Sequence, residues 1–374
     1  MARKNDDTSN RGSRKNGVKK VSSRKPAEDV AIEPVAAAAP PAARGPVIRR
    51  PPIKFEETQA VFRRLATKLD APVVSYWNNP RGAVCHNDVI AIYKMAEKIG
   101  KRDDVYIFLK SDGGNGQASL RFVNVLREYF KNIHALVPLE CCSAATMIAL
   151  GANSIHMGPM SYLTAVDTAL THDLSPIDRD NDRVSVSLDE LKRVIRLWQH
   201  EKDATASNPY AKLFEYVHPL VIGAVDRADS LSTMLCREIL AYHVNDASKV
   251  NEIADTLNTR YPSHSYPILK REARQMGLNV LDIDHEVLDL LLELHHVYSE
   301  MGQKCTTDQD EAHSHTDEIV NIIESESLLL FYEMDKDWFY RADERRWIAM
   351  NDSSGWRRLQ QIDGKVVRSE FHVV

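Results

Sequence analysis

The segment "LECCSAATMIALGANSIHMGP", residues 139–159, sets two thiols and a hydroxyl directly before a short apolar run. A serine hydroxyl attacks a carbonyl only when a base takes its proton and donors hold the oxyanion that forms. Ser143 to Gly151 reads as a helix, and serine is a favoured residue at a helix N-cap. Ser143 is therefore a cap or a nucleophile by type. Cys142 sits beside it, but a free cysteine behaves mostly as a small hydrophobe.

The loop "SDGGNG" (111–116) is the second feature with chemical potential. It follows the apolar run "DVYIFLKS" (104–111), which reads as a strand. Gly113-Gly114 let the backbone turn sharply and approach a ligand. Free N–H groups there form half of an oxyanion hole, with the Ala144 N–H at the next helix start as the other half, aided by the helix dipole. If both strands lie parallel in one sheet, both loops meet at its carboxyl edge, where ligands bind in open α/β sheets.

The elements that must hold these loops are short strands alternating with helices. "PVVSYW" (72–77), "IHALVP" (133–138) and "SIHMG" (154–158) read as further strands, and "NDVIAIYKMAEKIG" (87–100) as a helix capped by Asn87 or Asp88. That alternation predicts an α/β fold with a mostly parallel, buried sheet. Beyond 183 the pattern is helical, with Ser187 and Glu190 forming a capping-box signature. Residues 304–334 are expected to be linker and helix. Residues 335–374 are expected to be a small antiparallel meander of three strands turning at Asp363-Gly364, packed by Trp338, Trp347 and Trp356.

Composition bounds the rest. The 374 residues carry 43% hydrophobic residues and a net charge of −5, enough chain for a substantial core. Residues 1–50 are about +7 and the remainder near −12. The first 53 residues, basic and then Ala/Pro-rich, cannot build a core and read as a solvated tail or as a handle for an acidic partner. Five cysteines without CxxC or zinc spacing predict a reducing, cytoplasmic setting. No apolar run reaches the roughly 20 residues of a membrane span, and the N-terminus lacks the apolar core of a secretory signal.

With those residues in hand, "IFLKSDGGNGQASLRFVNVL" followed by "VPLECCSAATMIALGANSIHMGPMSYL" and Val166-Asp167 resembles the ClpP-class serine peptidases. The similarity is to their signal-peptide-peptidase-like and serine dehydrogenase proteinase branch, and covers roughly 70–280. It implies a ClpP/crotonase-like fold over 54–303 and Ser143 as nucleophile. Gly113 or Gly114 and Ala144 become oxyanion donors. A lysine some forty to fifty residues beyond the serine is the base in that branch, which implies Lys192. A lysine acts as base only when desolvation lowers its pKa; Leu191, Val194, Ile195 and Trp198 offer Lys192 an apolar wall, while the adjacent Asp189, Glu190 and Arg193 fit an exposed surface lysine equally well. The ClpP-proper pattern of a later histidine and an aspartate points instead to His172 and Asp167. His264, in "YPSHSYPI", is another candidate, favoured for a structural or substrate-proximal role over that of base. Where the family has Gly-Pro-Val-Asp-Pro, this chain has Thr164-Ala165-Val166-Asp167-Thr168.

The expected function is a serine endopeptidase acting on a peptide or protein, needing no metal or cofactor, in the homo-oligomeric form usual for the fold. The alternatives are an acyl-CoA hydratase or isomerase on the same fold, which needs a carboxylate at the site, and a catalytically inactive scaffold.

Overall fold

A computed structural model describes residues 47–167, 169–179, 182–200 and 213–373, all within the compact unit Gly45–Val374. The expected tail lies outside the described residues as far as position 46. Its last residues belong to the folded body instead. The Arg49 N–H donates to Thr307 Oγ1 at 2.9 Å, Arg50 pairs with Asp317 and Asp335, and Pro51 is buried.

In chain order the first half contains α1 (Phe55–Leu69), β1 (Val73–Asn78), α2 (His86–Ile99), β2 (Arg102–Lys110), α3 (Gly116–Tyr129) and β3 (Phe130–Val137). Then come β4 (Glu140–Cys141), α4 (Ala144–Leu150), β5 (Ser154–Met157), β6 (Tyr162–Leu163), β7 (Ala169–Leu170) and β8 (Val186–Ser187). The helical stretch holds α5 (Leu188–His200), α6 (Pro219–Ala241), α7 (Ala247–Thr259), α8 (Lys270–Gln275), β9 (Val280–Asp282) and α9 (His285–Met301). The chain ends in β10 (Cys305–Asp308), β11 (His313–Ser325), β12 (Leu328–Arg341), β13 (Arg346–Asp352), β14 (Gly355–Ile362) and β15 (Lys365–Glu370).

One sheet carries the fold, in the order β15-β14-β12-β11-β1-β2-β3-β5-β9. Strands β1, β2, β3, β5 and β9 run parallel, as the strand–helix alternation predicts. Alternate residues serve opposite faces. Tyr76, Ile107 and Val137 point into a core closed by α2, α3, α4 and α6, while Trp77, Phe108 and Leu136 pack under α1 and α9. Burying each such side chain contributes roughly 1.5–3 kcal/mol. The Ser187–Glu190 capping box forms: Glu190 N–H donates to Ser187 Oγ and Ser187 N–H to Glu190 Oε2, both at 3.2 Å. Helix α2 starts one residue before the expected range. Its N-cap is Cys85, whose N–H donates to the Asp88 carboxylate at 2.7 Å.

The C-terminal region corrects the expectation more substantially. Residues 304–334 are not linker and helix but β10, β11 and the start of β12. Strand β11 pairs antiparallel with β1, Val74 opposite Ser325, so the antiparallel strands extend the parallel sheet. The three expected strands are β13, β14 and β15; β14 pairs with β15, but β13 and β14 each pair antiparallel with β12 and not with each other. Of its tryptophans, Trp356 is buried against Tyr332 and Phe371, Trp338 donates from Nε1 to Thr316 Oγ1, and Trp347 is exposed.

Candidate active site

Parallel pairing brings the carboxyl ends of β2 and β3 to one edge, and two bonds there tie their loops together. Ser111 N–H donates to the Glu140 carbonyl at 3.2 Å, and Cys142 N–H to the Ser111 carbonyl at 2.9 Å. Beneath them the buried Lys110 ammonium donates to the Asn78 carbonyl and pairs with Glu140, each at 2.9 Å. Burial opposes the Glu140 charge, but the Lys110 hydrogen bond and charge bring its pKa below the ordinary value.

Ser143 stands between β4 and α4 with φ 49° and ψ −117°. A non-glycine residue there is strained, at a cost of order 1–3 kcal/mol. The same sharp strand-to-helix turn presents nucleophilic serines in other α/β folds. Its side chain makes no capping bond, although the residue occupies the N-cap position. The conformation is held from Thr164, whose Oγ1 accepts the Ser143 N–H at 2.8 Å and donates to the Ala165 carbonyl at 3.0 Å. Thr146 Oγ1 in turn accepts the Thr164 N–H at 3.2 Å and donates to the Cys141 carbonyl at 2.7 Å. The sequence did not disclose that Thr164 and Thr146 hold this turn; Thr164 opens the segment that departs from the pattern the chain otherwise resembles.

Gly113 lies against this serine. A Cβ there would meet Ser143 Cβ at 2.7 Å and the Cys142 carbonyl at 2.9 Å, and its φ of +108° already disfavours a side chain. The Gly113 N–H is taken by Ser111 Oγ at 3.1 Å and its carbonyl by Val84 N–H at 2.8 Å. Among the described residues, neither the Gly114 nor the Ala144 N–H has an acceptor. Cys142 is half-buried, and burial pushes its thiol up to about 11, so it is no thiolate at neutral pH.

A cleft of about 530 Å³ opens over Ser143 and Ala144. Its walls include Gly114, Met147, Leu231 and Leu235, with Asp167 and His264 both present. His264 Nδ1 and Asp167 Oδ1 are 2.9 Å apart. The carboxylate is an acceptor only, so Nδ1 carries the proton and Nε2 keeps the lone pair. That hydrogen bond to Asp167, against the opposing effect of burial, raises the His264 pKa above its ordinary value. The two are brought together by a backbone bridge between Leu163 and Ile268, with bonds of 3.1 and 2.8 Å, and by Val166 N–H donating to the Leu257 carbonyl at 3.1 Å.

Lys192 is exposed on α5 and does not line this cleft; the buried apolar residue beside it is Leu191. His172 is likewise outside the cleft lining. Its Nδ1 accepts the Leu174 N–H at 3.1 Å and its N–H donates to Ser175 Oγ at 2.9 Å, a local turn.

No helix among the described residues is long and apolar enough to cross a membrane. No protein-family model matches the sequence. No curated protein matches it. Among solved structures the chain is similar to a mutant of the membrane-bound stomatin-specific protease 1510-N, at 14% identity over 62% of this chain and 85% of that one, with a TM-score of 0.37. A second mutant of that protease, in complex with a substrate peptide, gives 16% identity over 62% and 80% of the two chains and a TM-score of 0.36. A ClpP1 variant from Listeria monocytogenes gives 13% identity over 60% and 99%, with a TM-score of 0.30.

Proposed function

We propose that the protein is a serine peptidase whose nucleophile is Ser143. The observation that carries this reading is the strained, uncapped serine set beside two unpaired amides in a cleft that also holds a carboxylate-bound histidine. Strain of this kind persists only where the surroundings over-determine it, and it clusters at functional sites.

In the proposed reaction Ser143 Oγ attacks the peptide carbonyl while His264 Nε2 takes its proton. The Gly114 and Ala144 N–H groups receive the oxyanion. Collapse of the tetrahedral intermediate breaks the C–N bond, and the imidazolium returns the proton to the leaving amine. Water, deprotonated by the same imidazole, then hydrolyses the acyl-serine. Asp167 holds the Nδ1–H tautomer and stabilises the imidazolium. Met147, Leu231 and Leu235 suit an apolar substrate side chain. His264 replaces Lys192 as the proposed base because Lys192 is exposed and outside the cleft lining.

The test is labelling of the full chain with a serine-reactive fluorophosphonate. Labelling is expected in the wild type and in Lys192→Ala, and is lost in Ser143→Ala and His264→Ala. Loss in Lys192→Ala with retention in His264→Ala returns the base to the lysine. A folded wild type that takes no label supports the inactive scaffold.

A further inference from the structure

On the same sheet, and outside the lining of the Ser143 cleft, β11 and β12 bring four polar residues to one face. His315 and Asp317 are two apart on β11, and the antiparallel register sets Asp337 opposite His315 and Asp335 opposite Asp317. Side chains at such positions share a face and touch across the ladder. His315, Asp317 and Asp335 offer ligand atoms that all lie within 4.8 Å of one another. His315 is 3% exposed and Asp317 0%.

Two of these groups lack the partner that burial demands. His315 Nδ1 lies 2.9 Å from Asp337 Oδ1, and a carboxylate only accepts, so Nδ1 carries a proton, and the neutral imidazole presents a lone pair at Nε2. Among the described residues that buried Nε2 has no hydrogen-bond partner, and neither has Asp317 Oδ1. Asp335 Oδ1 is 3.7 Å from His315 Nε2. At that distance no hydrogen bond joins the two, and in the neutral imidazole both are acceptors. A cation satisfies both, and the carboxylate-to-Nδ1 bond is the outer-shell device that orients metal-ligating imidazoles. Arg50 neutralises only the outer oxygens: its Nη1 donates to Asp317 Oδ2 at 3.0 Å and to Asp335 Oδ2 at 2.9 Å.

We propose that His315, Asp317 and Asp335 bind a first-row divalent cation, Zn2+ or Mn2+, with Asp337 as the positioning residue. One imidazole with carboxylates suits these ions, whereas all-oxygen sets suit Ca2+ and Mg2+. The cation shares both carboxylates with Arg50, which ties its binding to the way the segment after the basic tail is held. Cysteine and histidine spacing does not disclose this site, because its residues meet only across a strand pair.

The experiment uses the full chain, stripped with chelator and titrated with Mn2+ alone, followed by electron paramagnetic resonance, and with Zn2+ in competition with a chromophoric chelator. One saturable site per chain is expected, undiminished by equimolar Ca2+. His315→Gln and Asp335→Asn, checked for folding by circular dichroism, lose that site. Asp335→Asn decides alone where His315→Gln does not fold. Asp337→Asn, which removes the carboxylate that orients His315, binds the cation about tenfold more weakly, the scale on which loss of an outer-shell partner lowers metal affinity. Absence of saturable binding in the folded wild type overturns the proposal. So does binding that survives Asp335→Asn, that Ca2+ displaces, or that Asp337→Asn leaves unchanged.

Discussion

His264 Nδ1 and Asp167 Oδ1 lie 2.9 Å apart across 97 residues of sequence, and both residues line the cleft that contains Ser143. The carboxylate raises the imidazole pKa, so more of the histidine is protonated near neutrality. A protonated imidazole cannot take the serine proton. The rate of fluorophosphonate labelling is therefore expected to rise with pH through an apparent pKa above the ordinary histidine value. In Asp167→Asn that limb moves to lower pH and the plateau rate falls. A limb that stays in place in Asp167→Asn refutes the assignment.

Gly113→Ala puts a methyl group 2.7 Å from Ser143 Cβ and 2.9 Å from the Cys142 carbonyl, at a φ of +108°. The cost is expected to be roughly 1–3 kcal/mol from the backbone alone, with more from the clash. Gly100→Ala supplies the control: its φ is +73° and nothing lies within 4 Å of the added carbon. Both variants lower the thermal midpoint, but only Gly113→Ala abolishes labelling of Ser143. Equal labelling of the two shows that the close approach of the glycine loop does not matter to the serine.

Thr164→Val keeps the shape of the side chain but removes the oxygen that accepts the Ser143 N–H. An unpaired amide of this kind costs about 1–3 kcal/mol. The larger effect is expected on labelling rate, because the strained φ of Ser143 loses its tether. Thr164→Ser retains the oxygen and restores the rate. A Thr164→Val variant that labels at the wild-type rate removes Thr164 from the site.

The parallel half of the fold was legible because its signals are local. Apolar strands end in glycine or small residues, helices begin at caps, and the spacing of Gly113-Gly114 and Ser143 needs only neighbouring strands. Strand β11 was misread for the opposite reason. Its run "HSHTDEIVNIIES" carries charged and amide groups, and buried central strands ordinarily read as apolar. Each of several such groups has a distant partner: Asn321 Nδ2 donates to Asp88 Oδ1 at 3.0 Å, and Asn79 Nδ2 to Glu318 Oε1 at 2.6 Å. Partners 233 and 239 residues away leave no local pattern. The same holds for His264, whose partner Asp167 is 97 residues away and is brought near by the bridge between Leu163 and Ile268 and the bond from Val166 to Leu257.

Glu324, on that strand, gives the fold a pH dependence. It is fully buried, yet Gln59 Nε2 and Tyr298 OH donate to it at 2.8 and 2.7 Å, and Thr58 Oγ1 donates as well. Burial outweighs these donors and pushes its carboxyl up to about 7, against an ordinary 4.5. A folded pKa above the unfolded one means that folding takes up a proton between the two values. The protonated group's contribution is fully present below the unfolded pKa and is lost as pH rises through the folded one. Across that window the loss is on the order of 3 kcal/mol. Glu324→Gln stays neutral throughout. Its amide oxygen accepts from Thr58 and Gln59, and its NH2 donates to the Tyr298 hydroxyl, which then donates to Ser75 Oγ, 2.7 Å away. The wild-type thermal midpoint is expected to fall more steeply than that of Glu324→Gln between about pH 5 and pH 8. The difference between the two curves isolates this carboxyl from the other titrating groups, and parallel curves would mean that Glu324 is ionised in the folded protein at neutral pH.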